Sequence, residues 1–414
     1  MAPHESPPLA GRGRSVAKRR PPLSPQILGA LLVVLLTTVS PAAQVQAPSE
    51  TPTLAELERR LAAGRAEEVL TALESRNDRP DVVRLRLRAA VATGRAELAL
   101  RSYTQLRNST QKDDAVLLGG VGTATLGVLA TDKDSVLAID ACRALLRRGA
   151  NPCGATRLAE AKDAAQPIAV RLAAVRALSE AASPPATLPE LTGTIVASAG
   201  SDERALAQGL VGLPAQVAVP IWTRLAEKGP REVQYLSIGA LGRAGTPEAR
   251  RALDAIRKRG APHGLSFAVT VASAGSGDPA SLAELKKAIP LLQGSDVLAA
   301  AEILQAQGEA SAAAPLLRQA AEGDNEILRI EAAAKLGPAD VDLARKVLNN
   351  ARASENPILR AAALAAFRTS PLLDIPALLD GLADQNPWVR LRAGEAAAAR
   401  SASGAPAEGG RARP

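Results

Sequence analysis

The sequence predicts an all-α protein, an α-solenoid in which antiparallel helix pairs stack in a row. Hydrophobic residues make up 47% of the chain but aromatic residues only 1%. The core must therefore be built from Ala, Leu and Val, which suits thin layers of closely packed helices. The phrase NPILRAAALAAF at 356–367 returns 30 residues later as NPWVRLRAGEAA at 386–397, as expected of stacked repeats. No segment shows a convincing strand-like alternation of polar and apolar residues.

The first segment, residues 1–47, has the order of an export signal. Basic residues up to Arg20 precede an apolar run of 13 residues at 27–39, and small residues follow it. We expect cleavage after about Ala42 or Ala47, which would make the protein periplasmic or secreted. The apolar run is short for a membrane-spanning helix, which needs about 20 apolar residues. The alternative is an uncleaved single-pass anchor, with membrane contact confined to this segment.

The next section, residues 51–112, repeats the tetrapeptide GRAE at 64–67 and 94–97. Each copy follows a small residue and precedes a helical stretch with alanines and a late Leu or Tyr, a pattern similar to tetratricopeptide-type (TPR) helix pairs. The spacing of 30 residues is shorter than the usual 34 of that family. We predict TPR-like helix pairs here, ahead of a longer array at 113–400.

In the longer array one position of the repeated helix pattern, which we call the register position, recurs every 30 to 33 residues. In its clearest copy Asn386 suits a helix N-cap and Pro387 the first helical turn. The apolar residues that follow fall on one face of that helix. The register positions are Ala138, Arg171, Arg204, Gln234, Ser266, Ala299, Arg329, Arg360 and Arg390.

Prolines mark a second helix in some of the units. Pro220, Pro315 and Pro376 each lie 14 residues before a register position. Proline is tolerated in the first turn of a helix and disruptive inside it, so we expect a helix to begin near each of them. Every unit is therefore predicted to contain two helices.

The stretch IPALLDGLADQNPWVRLRAGEAAAA at 375–399 resembles a HEAT-type repeat. Units of about 31 residues are most similar to the short bacterial form first associated with phycobilisome lyases. The resemblance implies a curved superhelix whose second helices line a concave surface for proteins or peptides. We do not carry over the lyase activity, because fold does not fix function. The small, polar tail at 401–414 is predicted to be disordered.

Cys142 and Cys153 are the chain's two cysteines. In an oxidising compartment they could pair and close a short loop. They could equally be two small, buried, unpaired thiols. The sequence leaves both possibilities open.

No catalytic constellation is recognisable, so we expect neither enzymatic activity nor a cofactor or metal. His263 lies in a predicted turn without neighbouring ligands. GGVG at 119–122 lacks the Gly-Lys-Ser/Thr of a phosphate loop, which leaves a turn or a tight helix contact. Outside 1–47 the chain has 45 basic and 41 acidic residues, a mild surplus that gives little support to nucleic-acid binding.

The last unit supplies the candidate partner-binding residues Trp388, Arg390 and Arg392. Trp388 either packs over the exposed end of the array or anchors a partner, since tryptophan is enriched at binding hot spots. Arg390 and Arg392 are either a repeat residue and a solvated one, or a carboxylate clamp.

The sequence therefore predicts an exported, non-enzymatic scaffold that binds a protein or peptide on a solenoid surface. One alternative is an accessory or lyase-like protein that holds a small ligand in the groove. A less favoured alternative is a HEAT-like protein that binds nucleic acid. The export signal and the small charge surplus argue against that last class.

Overall fold

Every regular element in the described part of the chain is helical. The computed structural model describes residues 52–200, 202–368 and 374–403. Within these ranges it contains twenty-two α-helices, two short 3₁₀ turns and no β-strand. The predicted all-α fold class is confirmed.

The helices follow one another along the chain with short connections. They are α1 (Leu54–Ala62), α2 (Ala66–Leu73), α3 (Pro80–Ala92), α4 (Ala96–Thr110), α5 (Ala115–Leu129), α6 (Ser135–Leu146), α7 (Gly154–Lys162), α8 (Ile168–Ser179), α9 (Leu188–Ser198), α10 (Glu203–Gly209), α11 (Ala215–Lys228), α12 (Arg231–Ala244), α13 (Pro247–Arg259), α14 (Ser266–Gly275), α15 (Pro279–Ala288), α16 (Ser295–Ala306), α17 (Ala310–Glu322), α18 (Glu326–Leu336), α19 (Val341–Arg352), α20 (Pro357–Phe367), α21 (Ile375–Leu382) and α22 (Pro387–Ser403).

The even-numbered helices from α6 to α22 carry the predicted register. Consecutive members of this series contact one another, and most of the odd-numbered helices between them contact both neighbours. Six register positions are the fourth residue of an even-numbered helix, whereas Arg204, Ser266 and Ala299 are the second, first and fifth. The periodicity seen in the sequence is thus a periodicity of stacked helices.

Asparagine caps begin three of the even-numbered helices, as the sequence predicts for Asn386. Its Oδ1 accepts a hydrogen bond from the backbone N–H of Trp388 at 2.9 Å. Asn325 and Asn356 make the equivalent contact at 3.1 and 2.9 Å. These caps satisfy N–H groups that have no partner within the helix, which sharply defines where each helix starts.

The prediction that a helix begins near each marker proline is right at Pro376 and wrong at Pro220 and Pro315. Pro376 is the second residue of α21, but the other two lie five residues inside α11 and α17. An interior proline removes one backbone hydrogen bond. The extra turn before it buries Val219 in α11 and Ala313 in α17. That apolar burial favours a helix that starts before the proline and continues through it.

The two GRAE copies form equivalent turns. Gly64 and Gly94 both adopt left-handed backbone, with φ of 78° and 71°, a conformation that glycine adopts without strain. α2 and α4 begin two residues later, and Arg95 of the second copy pairs with Glu67 of the first. The tetrapeptide recurs because the same turn is built twice.

The section predicted at 51–112 shares its core with the end of the longer array. One hydrophobic cluster joins buried residues between 57 and 121 with buried residues between 330 and 397. The described residues from 52 to 403 accordingly belong to a single compact unit.

The last helix, α22, does not lie at an exposed end of the array. It packs along α5, in the most extensive helix–helix contact of the described residues, and it also contacts α6. A Cβ atom at Gly122 of α5 would lie 2.7 Å from the carbonyl oxygen of Gly394 and 2.8 Å from the amide nitrogen of Ala398. GGVG is therefore a tight helix contact, and the expectation that stacking ends at α22 is wrong. Neighbour contacts run from α6 through the even-numbered helices to α22 and return to α5.

Two predicted segments fall wholly or mostly outside the described residues. The export signal at 1–47 lies outside them, as does the tail from 404 onward. The tail predicted from 401 is helical as far as Ser403, because α22 continues further than expected. None of the described helices is both long and apolar enough to cross a membrane.

Candidate functional site

Some exposed or half-buried positions of the even-numbered helices recur at fixed offsets from the register positions. On α6, α8, α12 and α22 they lie two residues before the register and two, five and nine residues after it. This spacing follows the period of about 3.6 residues, so the four side chains form one stripe along each helix. We call the surface formed by these stripes the even-helix face. On three neighbouring helices it presents Val136, Asp140, Arg143 and Arg147 (α6), Ala169, Ala173, Arg176 and Glu180 (α8), and Trp388, Arg392, Glu395 and Ala399 (α22).

Ion pairs between neighbouring helices connect the stripes. Arg392 of α22 lies 3.3 Å from Asp140 of α6, and Arg143 of α6 lies 2.7 Å from Glu180 of α8. Two further pairs join α10 to α12 and α16 to α18, namely Arg204 with Glu232 at 3.1 Å and Lys335 with Glu302 at 3.1 Å, although Glu232 is the one residue of these four that lies at a stripe offset. The stripes of α22, α6 and α8 therefore face the same way.

An apolar row crosses the even-helix face at the offset two residues before the register. We define it as Ile358 of α20, Trp388 of α22 and Val136 of α6. Ile358 is 66% exposed and Val136 49% exposed, while Trp388 between them is half-buried against the hydrophobic core. Neighbouring exposed apolar side chains are typical of surfaces that another molecule covers.

An arginine cluster lies beside the apolar row, and we define it as Arg143, Arg147 and Arg176. Glu180 accepts hydrogen bonds from the Nε of Arg143, at 2.8 Å, and from the Nε of Arg147. The Nε of Arg176 is buried and has no hydrogen-bond partner among the described residues. Burial by itself would raise the pKa of Glu180, but the hydrogen bonds from Arg143 and Arg147 outweigh it and the pKa lies below its ordinary value. Two of the three guanidinium groups thus share one ionised carboxylate.

Arg392 is held by two carboxylates on the other side of Asp140. It lies 2.8 Å from Glu395 of its own helix and 3.3 Å from Asp140. Burial by itself would lower the pKa of Arg392, but Glu395 and Asp140 outweigh it and the pKa is raised. Of the three residues that the sequence put forward for partner binding, Trp388 and Arg392 lie on the even-helix face.

Arg390, the third candidate, is bound to its own repeat. Arg390 and Arg360 each donate to two carbonyl oxygens of the turn before their helix, at 2.8 to 3.0 Å. Arg360 also donates to both carboxylate oxygens of Asp384 in the next unit, at 2.8 and 3.1 Å. Buried Arg171 similarly donates to the carbonyl oxygen of Ala161 at 3.1 Å. Arg360 and Arg390 therefore join each helix to the turn that precedes it, and Arg171 joins α8 to the end of α7.

The remaining register arginines do not share this arrangement. Arg204 is exposed and pairs with Glu232, and Arg329 has a buried Nε without a hydrogen-bond partner among the described residues. The structure therefore contains no continuous ladder of register arginines within the described units. Only some of the turns before the even-numbered helices are held in this way.

Cys142 of α6 and Cys153, at the start of α7, form a disulfide bond, with their Sγ atoms 2.00 Å apart. Both cysteines are buried. Cys142 lies between Asp140 and Arg143 on α6, so the disulfide fixes the helix that carries both residues.

Sequence reasoning missed most of the even-helix face. Arg143, Arg176 and Ile358 were not singled out, although all three lie at the offsets shared with Trp388 and Arg392. Comparing the offsets of charged and apolar residues between units would have found them. The register positions that the sequence highlighted, such as Arg360 and Arg390, instead bind backbone groups of their own repeat.

His263 is exposed in the turn between α13 and α14, away from any described cluster of ligands. In the described ranges no group of three or more His, Cys, Asp and Glu residues is arranged to hold a metal ion. No protein-family model matches the chain, and no curated protein or solved structure matches it either. What the protein does must therefore be inferred from the chemistry of the even-helix face.

Proposed function

We propose that the protein is a non-enzymatic scaffold that binds a protein or peptide on the even-helix face. The observation that carries this proposal is the apolar row lying beside a charged cluster, on helices joined by ion pairs. Central apolar anchors with polar groups around them are the usual anatomy of a protein-binding surface. Tryptophan and arginine, which are prominent here, are also enriched at binding hot spots.

The stacked architecture supports the same proposal. Repeat proteins use the surface that successive units share to dock extended partners, and the even-helix face is such a shared surface. This is also the function that the resemblance to HEAT-type repeats implies. The founding lyase activity of the short bacterial form is not part of the proposal.

We further propose that the protein is exported. The order of residues 1–47 supports this, and so does the disulfide, because disulfides persist mainly in oxidising compartments. Mass spectrometry of the mature protein tests it directly. The expected N-terminus follows Ala42 or Ala47, and an intact Met1 in a soluble cytosolic fraction would overturn the proposal.

Peptide binding is best tested by panning a random displayed peptide library on the purified protein. Enriched peptides are then synthesised with a fluorescent label and titrated by anisotropy. Ile358→Asp and Trp388→Ala should weaken binding at least tenfold, because each removes an apolar anchor, a loss of about 1.4 kcal/mol or more. Ile358→Asp is the safer variant for folding, since that side chain is already exposed.

Leu291→Asp is the matched control for these variants. Leu291 is an exposed apolar residue, like Ile358, but it lies in the turn between α15 and α16 and outside the even-helix face. The control should leave binding unchanged. Failure to enrich any peptide, or equal losses in Leu291→Asp and Ile358→Asp, would contradict the proposal. A small molecule that co-purifies with the protein and is lost in Trp388→Ala would favour the ligand-holding alternative.

A further inference from the structure

The arginine cluster has more positive charge than its own carboxylate neutralises. Arg143 and Arg147 both bind Glu180, and Arg143 reaches its two oxygens at 2.8 and 2.7 Å. Arg176 makes no ion pair among the described residues, and its Nε is both buried and unpartnered. Arg176 as a whole is half-buried. A guanidinium group stays charged at any physiological pH, and a partly buried charge without an ion-pair partner costs some stability.

The nearby carboxylates Asp140 and Glu180 attract the charge of Arg176, but neither forms an ion pair with it among the described residues. Asp140 and Glu395 are both engaged by Arg392, at 3.3 and 2.8 Å. Gly212, in the turn after α10, leaves room beside the Arg176 side chain, because a Cβ atom there would lie 3.3 Å from its Cδ. Packing therefore holds the Arg176 side chain in place, while no described carboxylate forms an ion pair with its guanidinium group.

We propose that the arginine cluster binds a carboxylate side chain of an acidic peptide segment whose neighbouring apolar side chain docks on the apolar row. This rests on the proposed peptide-binding function and specifies the partner's chemistry. Guanidinium groups bind carboxylates through paired, charge-assisted hydrogen bonds, and Glu180 engages only two of the three guanidinium groups of the cluster. The bound carboxylate compensates the charge of Arg176.

The spacing of the two subsites sets the pattern that the peptide must carry. Val136 of the apolar row and Arg143 of the arginine cluster lie on the same helix, seven residues apart. At a rise of about 1.5 Å per residue this is about 10 Å. An extended peptide advances about 3.3 Å per residue. Its apolar and acidic residues should therefore be about three positions apart.

The probes are two fluorescein-labelled peptides. One has three copies of Leu-Ser-Gly-Glu, and the other has three copies of the reversed order Glu-Gly-Ser-Leu. Four control peptides replace every Glu of each sequence by Gln or by Lys. At low salt one of the two Glu peptides should bind at least tenfold more tightly than its Gln counterpart, and the Lys peptide more weakly still. The advantage of Glu should shrink between about 0.1 M and 1 M salt, as the screening length falls from about 10 Å to 3 Å.

Arg176→Gln is the decisive variant, because it removes an uncompensated charge and should leave the fold at least as stable. It should reduce binding of the Glu peptide at least fivefold and leave the Gln peptide unchanged. Arg251→Gln is the matched control, since Arg251 is an exposed arginine on α13, outside the even-helix face. It should change neither affinity.

The outcomes separate this inference from the proposed function. Equal binding of the Glu and Gln peptides, with both lost in Ile358→Asp, would leave peptide binding intact and overturn the acidic preference. No binding of any peptide, including those from the displayed library, would overturn both. If inorganic phosphate is bound through Arg176 while Glu and Gln peptides bind alike, the cluster is a site for free oxyanions and the inference fails.

Discussion

The contact between α5 and α22 makes a prediction that a single methyl group can test. In Gly122→Ala the new Cβ would lie 2.7 Å from the carbonyl oxygen of Gly394, 2.8 Å from the amide nitrogen of Ala398 and 3.0 Å from the Cβ of Ala397. The two closest of these are backbone atoms and cannot rotate away, so the helices must separate. Overpacking of this kind costs about 1–3 kcal/mol, against a gain of about 1 kcal/mol in helix propensity.

Gly127→Ala is the control, because Gly127 lies on the same helix with no atom within 4 Å of the position of its Cβ. It should stabilise the protein by about 0.5–1 kcal/mol through propensity alone. The difference between the two variants therefore isolates the steric effect, about 1–3 kcal/mol.

Urea denaturation followed by far-UV circular dichroism measures that difference. Hydrogen–deuterium exchange locates it, because α22 should lose protection in Gly122→Ala and keep it in Gly127→Ala. If Gly122→Ala is as stable as Gly127→Ala and the exchange of α22 is unchanged, α5 and α22 do not meet, and the closed series of contacts is wrong.

Three further predictions concern the repeats and the disulfide. Arg360→Ala should cost about 1.5–3 kcal/mol at neutral pH. Burial would raise the pKa of Asp384, but the hydrogen bonds from Arg360 and the Asn386 backbone, together with the charges of Arg360 and Arg390, outweigh it and the pKa is lowered. The part of the stabilisation that comes from Asp384 is therefore present above about pH 4 and lost as pH falls through the lower folded value. The difference between the wild type and the variant in urea titrations should therefore shrink in acid to the part contributed by the carbonyl contacts of Arg360. Reducing the bond between Cys142 and Cys153, which lie 11 residues apart, should lower stability by about 3 kcal/mol, and a thiol assay on the unreduced, denatured protein should find no free thiol. Pro315→Ala should raise the free energy of unfolding by about 1–3 kcal/mol because it restores an interior hydrogen bond, whereas no gain would mean that the helix starts at the proline.

Much of the fold could be predicted from local patterns. The asparagine caps, the glycine turns at 64 and 94 and the recurrence near every 31 residues are all short-range features, and the structure contains each of them. The prolines were misleading because their preference for the first turn is a local tendency that burial of Val219 and Ala313 overrides. Within the site, Trp388 and Arg392 were found because they stand in the clearest repeat. Arg143 and Arg176 were not, because their importance depends on which helix lies beside theirs.

The sequence by itself determined that this chain forms helices, where most of them begin and how they repeat, because apolar spacing and capping act within one or two turns. The tertiary structure decided that α22 returns to α5, that Gly122 meets Gly394, and that Arg392 reaches Asp140. Those contacts depend on small rotations between successive units, which add up over the whole array. No single repeat encodes that sum, so it becomes visible only when all the units are packed together.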